Sequence, residues 1–129
     1  MVDSDLTIRA FLIGTPLVQE TGSPDRIVAS DRLPTDYKPA DGSLLLFARR
    51  GGPLDYSSQI LFASYGFRSY GETEAKAKAL SNKLYDVLND VQRGHIKMAR
   101  LEVPSQPIRE PGTDWPIELS FYRIAVALH

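Results

Sequence analysis

At 129 residues, with 43% hydrophobic and 24% charged residues, the chain has the size and make-up of one globular domain. Its formal net charge of −1 supplies no global attraction to nucleic acid or to an anionic membrane. The absence of cysteine excludes thiol catalysis, disulfide stapling and cysteine-ligated zinc or iron–sulfur centres, and it fits folding in a reducing cytoplasm.

In chain order, Met1-Val2-Asp3-Ser4-Asp5 carries no basic segment ahead of an apolar one, so no secretory signal is predicted. No run approaches the roughly 18 apolar residues of a membrane span. Asp3 to Ile13 reads as a short helix capped by Asp3 or Ser4, with Leu6, Ala10 and Ile13 on one face and Phe11 beside them; a strand is the competing reading, since Ile8 and Phe11–Ile13 also form strands. Gly14 and Pro16 end it. Ile27 to Ala29 reads as a short extended piece, and Ser30 to Gly42 as a polar loop of the kind that often makes contacts. Leu44–Arg49 and Gln59–Arg68 read as two apolar strands of an antiparallel hairpin, with an oversized tip over Arg49–Ser58.

Glu72 to Val91 has the strongest pattern. Ala77, Leu80, Leu84, Val87, Leu88 and Val91 recur at spacings of three and four, which makes one apolar stripe. Glu72 faces Lys76, and Glu74 faces Lys78, in the favourable acid-first order. With Gly94 as its stop, the predicted helix is about 30 Å long. Ile96–Val103 reads as a strand and Pro104–Pro116 as a second long loop holding the only tryptophan, Trp115. Ile117–Leu128 reads as the last strand. Its apolar phase flips between Phe121 and Ile124, which predicts either a β-bulge or burial on both faces. The expected fold is therefore α+β, a single domain over 1–129, with a four-stranded, mainly antiparallel sheet and two helices packed on one face. The strands are too continuously apolar for a fully wetted second face, which suggests association with a partner.

No catalytic or metal-binding constellation emerges. Neither His95 nor His129 has carboxylates at ligand spacing, and no phosphate-binding glycine motif or G-x-S-x-G occurs. Asp86 and Asp90 sit at i,i+4 on the solvated side of the long helix, where paired carboxylates do no acid–base work. Tyr65 and Phe67 share one side of a strand, as base-stacking aromatics do in RNA-recognition sheets, but core packing is the better reading in a chain without a basic surplus. Arg49, Arg50 and Tyr56 on the hairpin tip, and Arg109 and Trp115 on the second loop, are the candidate contact residues. Trp115 could equally plug the core.

The order and spacing of these elements resemble the tail terminator, or tail completion, proteins of long-tailed bacteriophages. The residues that carry the resemblance begin with the N-terminal helix bearing Leu6 and Phe11, then Asp25-Arg26-Ile27 and Arg32-Leu33-Pro34. A strand ending Phe67-Arg68-Ser69-Tyr70-Gly71 leads into the alanine-rich helix from Glu72 to Leu80, which continues Leu84-Tyr85-Asp86-Val87-Leu88. The resemblance implies a non-enzymatic virion protein with no cofactor, assembled in the host cytoplasm and placed at the tail–neck junction. It implies a homo-hexameric ring that caps the tail tube, stops its polymerisation and offers a surface to the head completion (connector) protein. DNA would pass through the lumen unread, and no membrane is involved. Another neck or minor tail protein, or a small RNA- or ligand-binding α+β module, is the alternative.

Overall fold

The computed structural model describes residues 3–52, 54 and 55 through their backbone, and 59–128. Helix α1 spans Ser4–Ile13. Asp3 caps it, its Oδ1 accepting from the backbone N–H of Asp5 at 3.0 Å and of Leu6 at 3.2 Å. The inward face carries Ser4, Ile8 and Leu12, and not the Leu6, Ala10 and Ile13 face expected from apolar spacing. The reason is a polar anchor. The Tyr65 hydroxyl donates to Asp5 Oδ1 at 2.8 Å and therefore accepts from Ser4 Oγ at 2.9 Å, which fixes the helix rotation and leaves Leu6 60% exposed.

A short helix, α2, follows at Leu17–Thr21, inside a stretch the sequence pattern left unassigned. Strand β1 (Ile27–Ala29) pairs in parallel with β2 (Leu44–Arg49). The Ser30–Gly42 segment between them does not project. Tyr37 and Pro39 are buried, and the Tyr37 hydroxyl donates to the carbonyl of Gly42 at 2.7 Å. β2 pairs antiparallel with β4 (Ile60–Tyr70), as the hairpin reading expects. The tip is less open than expected. Backbone pairing continues through Arg50 N–H to the Ser64 carbonyl and Ser64 N–H to the Gly51 carbonyl, and β3 (Leu54–Asp55) pairs further along β4.

Helix α3 runs from Glu74 to Leu88, so it is about 22 Å long and not 30 Å. Its start is set by Thr73, whose side chain accepts from Lys76 N–H. It stops at Asn89 because Asp90 takes a left-handed backbone, φ 63°, four residues before the expected Gly94. Ala77, Leu80, Leu84 and Leu88 are buried along the predicted stripe, together with Ser81. Of the two expected pairs, Lys76–Glu72 forms at 3.7 Å, whereas Glu74 pairs with Arg109 from β5.

The main correction concerns the Pro104–Pro116 loop. Strand β5 spans Ile96–Arg109 and passes through both Pro104 and Pro107 to pair with β6 (Pro116–Ala127) as far as Arg109 and Pro116. Proline is tolerated there because β5 is an edge strand, and register shifts between Leu101 and Val103 and between Val103 and Gln106 absorb the rest. The connecting turn is only about Glu110–Trp115. The register of β6 against β4 is unbroken, so the flip of apolar phase in β6 reflects burial on both faces and not a bulge against β4.

The sheet order is β1-β2-β4-β6-β5 with β3 alongside β4, so among the described residues five strands lie on the path where four were expected, with three α-helices where two were expected. All three helices cover the same face. Leu45, Phe47, Tyr65, Phe67, Tyr122 and Ile124 form that face of the sheet, under Ile8, Leu12, Leu17, Leu80, Leu84 and Leu88. Gly71 lets α3 approach: a Cβ there would lie 2.5 Å from the backbone nitrogen of Ala77. A second, smaller cluster on the opposite face joins Leu44, Leu46, Tyr70 and Ile117 to Tyr37, with Leu33 and Trp115 packed against it.

Each sheet edge is bonded in part by the chain itself. On β5, the Ala99 carbonyl accepts from Asp90 N–H at 2.7 Å, and Leu101 N–H donates to Asn89 Oδ1 at 2.9 Å. On β1, the Ile27 carbonyl accepts from Arg9 Nε at 2.8 Å.

Candidate interface on the uncovered sheet face

Strand alternation decides what the helix-free face shows. From β4 it receives Phe62, Ser64, Gly66 and Arg68, every one only partly buried or exposed, while the intervening Ala63, Tyr65 and Phe67 are fully buried under the helices. β6 adds Leu119, Phe121 and Arg123, and β2 adds Leu46, Ala48 and the following Arg50. The Ser30–Gly42 segment covers the β1 end of this face through the Tyr37 cluster. The remainder is a groove of about 350 Å³. Its floor is Ala48, Gly66, Leu119 and Phe121, its rims Arg50 and Arg68, with Ser30 and Asp31 on the β1 side.

The groove is shaped by one close stack. The Arg50 guanidinium lies 4.7 Å from the Phe121 ring centroid, a cation–π contact. Gly66 leaves room for it, since a Cβ there would come within 3.2 Å of the Phe121 ring and 3.3 Å of Arg50 Cδ. Neither Arg50 nor Arg68 has a carboxylate within ion-pair distance among the described residues; the ion pairs there involve Lys76, Arg100, Arg109 and Arg123. Farther along the face, Arg123 Nε meets Glu102 Oε2 at 3.2 Å, and the Ser64 hydroxyl donates to Glu102 Oε1 at 2.6 Å. That hydroxyl, and secondly Arg123, hold the Glu102 carboxyl below its usual range.

The structure separates the residues singled out from sequence. Arg49 and Arg50 are neighbours in the chain but face opposite sides of the sheet: Arg49 is paired in register with Tyr65 on the helix side, Arg50 with the groove. Arg109 binds Glu74 at the start of α3 and donates to the Asp114 carbonyl at 3.1 Å, tying the β5–β6 turn to the helix. Trp115 is half-buried and meets Tyr37 edge-on at 6.0 Å, so it closes the second cluster. Tyr56 lies outside the described residues, as do Ser58 at the end of the expected tip and His129. Tyr65 and Phe67 are fully buried beneath the helices, which removes them as a base-stacking platform. His95 Nδ1 lies 3.1 Å from the Ala127 carbonyl and belongs to the strand ends. Asp90 sits beyond the end of α3 and meets Arg100 at 3.5 Å, so it does not form the expected helical pair with Asp86.

Phe121, Gly66 and Leu119 were missed as site residues. Their signal was in the sequence, in the phase opposite to Tyr65 and Phe67, but which phase the helices cover is a tertiary fact. Among the described residues no three His, Cys, Asp or Glu side chains gather as a metal site, and no helix is long and apolar enough to cross a membrane.

No protein-family model matches the sequence, and no curated protein does. A chain from the virion of native gene transfer agent (GTA) particle has a similar structure, with TM-score 0.64 and 15% sequence identity, covering 95% of this chain and 94% of the other. At that identity the likeness is one of fold, over 95% of this chain.

Proposed function

We propose that this protein is a structural component of a phage or phage-like virion, and within the virion a tail terminator. The observation that carries this reading is the whole-chain likeness of fold to a chain of a gene transfer agent particle. The resemblance of the sequence to tail terminators, in the order and spacing of its elements, points the same way.

In this reading six copies close into a ring on the last ring of the tail tube. They stop its growth and present the other side to the head completion protein, while DNA passes through the lumen unread. No chemistry is required of the chain, and the work is done by surface complementarity. A closed ring needs a heterologous interface, one patch meeting a different patch on the neighbour. The groove bounded by Arg50 and Arg68 is one such patch. Arg49 and Tyr56 near the β2–β4 connection, with Arg109 and Trp115 at the β5–β6 turn, contribute to contacts between subunits or between rings.

The test is the solution mass of the purified protein by light scattering, alone and with tail-tube ends added, together with images of any large species. Six chains of 14.4 kDa give a ring of about 86 kDa. A ring of that mass that blocks tube elongation supports the reading. A strict monomer that neither binds nor blocks tube ends overturns it.

A further inference from the structure

Taking the ring as given, we propose that the groove's occupant is the first turn of helix α1 of the neighbouring copy, with Leu6 seated on the floor and the Asp3–Asp5 carboxylates between Arg50 and Arg68. Leu6 has the largest exposure of any described large apolar side chain, 60%, and it is the residue that the Ser4–Tyr65–Asp5 anchor turns outward. Its flanking acids remain available as charges. Asp3 is spent only on backbone N–H groups, and Asp5 on one tyrosine hydroxyl, with no cationic partner among the described residues.

The groove has the complementary character. Ala48, Leu119 and Phe121 give an apolar floor, and two guanidiniums, Arg50 over the Phe121 ring and Arg68 beside the Tyr70 hydroxyl, outweigh the single carboxylate of Asp31. An exposed leucine flanked by acids and an apolar groove flanked by arginines match in both polarity and charge. The two patches also lie on opposite layers of the domain, α1 above the covered sheet face and the groove on the other. They cannot meet within one chain, so their contact is between copies, and repeated head-to-tail it is the type a cyclic ring requires.

The cysteine-free chain makes the test direct. Leu6→Cys and Ala48→Cys are made separately, each at a position that is not fully buried. Mixed and mildly oxidised, the two variants should give a disulfide-linked dimer, while each alone should stay uncross-linked, because a disulfide needs Cα atoms within about 7 Å. The Leu6→Asp variant should raise the apparent dissociation constant at least tenfold with the melting temperature held. A wild-type ring of about 86 kDa whose mixed cysteine variants do not cross-link overturns this contact and leaves the terminator reading standing. A protein that stays monomeric, neither binds nor blocks tube ends and does not cross-link overturns both.

Discussion

Alanine in place of Gly71 tests how tightly helix α3 is set on the sheet. The added methyl would lie 2.5 Å from Ala77 N, 2.9 Å from the Lys76 carbonyl carbon and 3.0 Å from Ala77 Cα. All three are backbone atoms of the first turn of α3, so no side-chain rotation relieves the clash, and the helix start must move. Overpacking of this kind costs about 1–3 kcal/mol. At about 2.1 cal/mol/K per residue, a domain of this length has an unfolding entropy of about 0.27 kcal/mol/K, so the melting temperature should fall by roughly 4–11 °C. Gly66→Ala is the matched control. There the nearest atoms, at 3.2 to 3.5 Å, belong to the side chains of Phe121 and Arg50, which can shift. Its melting temperature should move by less than about 4 °C, corresponding to less than about 1 kcal/mol. Calorimetry on both variants decides the matter. A Gly71→Ala protein as stable as the wild type would refute the argument that the sheet-to-helix turn is closed to any side chain.

Leu84→Ala, at a fully buried position of α3, should cost about 2–5 kcal/mol in urea unfolding, with the slope against denaturant unchanged. Reversing both groove charges, Arg50→Glu with Arg68→Glu, should weaken assembly by sedimentation while leaving the helical circular dichroism signal intact, since both residues are exposed. The Tyr37 hydroxyl is pushed by burial from 10.0 up to about 12, with Arg26 pulling it partly back, and burial raises Tyr65, Tyr70 and Tyr122 as well. The folded state thus holds protons that the unfolded state has released, so stability should be level below pH 10 and fall as pH rises from 10 toward 12 and beyond. Tyrosinate absorbance that appears only together with unfolding would confirm the order of events, and free titration near pH 10 in the folded protein would contradict it.

The elements legible in the sequence were those whose signal is local. The leucine stripe of α3 and the apolar runs of β2, β4 and β6 needed only spacing to be read. What escaped was set by contacts made from elsewhere. The rotation of α1 depends on a tyrosine about sixty residues away, so apolar spacing within the helix chose the wrong face. The passage of β5 through two prolines depends on its position at the sheet edge, which no window of β5 itself reveals. Arg49 and Arg50 were placed together on the hairpin tip because they are adjacent in sequence. A strand sends adjacent residues to opposite faces, and only the pairing with β4 shows that the tip is strand-like there. The groove was legible only as a surplus of apolar strand surface, without its location.

Arg9 bonded to β1, and Asn89 and Asp90 bonded to β5, have a consequence for how the protein behaves when it is abundant. An open sheet border invites another chain to add itself, and that addition has no natural end. Here the next strand would have to displace a guanidinium at one border. At the other it would have to displace an asparagine and a backbone amide, and it would then meet Pro104 and Pro107, which have no N–H to offer. Strand addition is therefore hindered at those positions of both borders, and a chain kept at high concentration is to that extent protected from open-ended sheet growth.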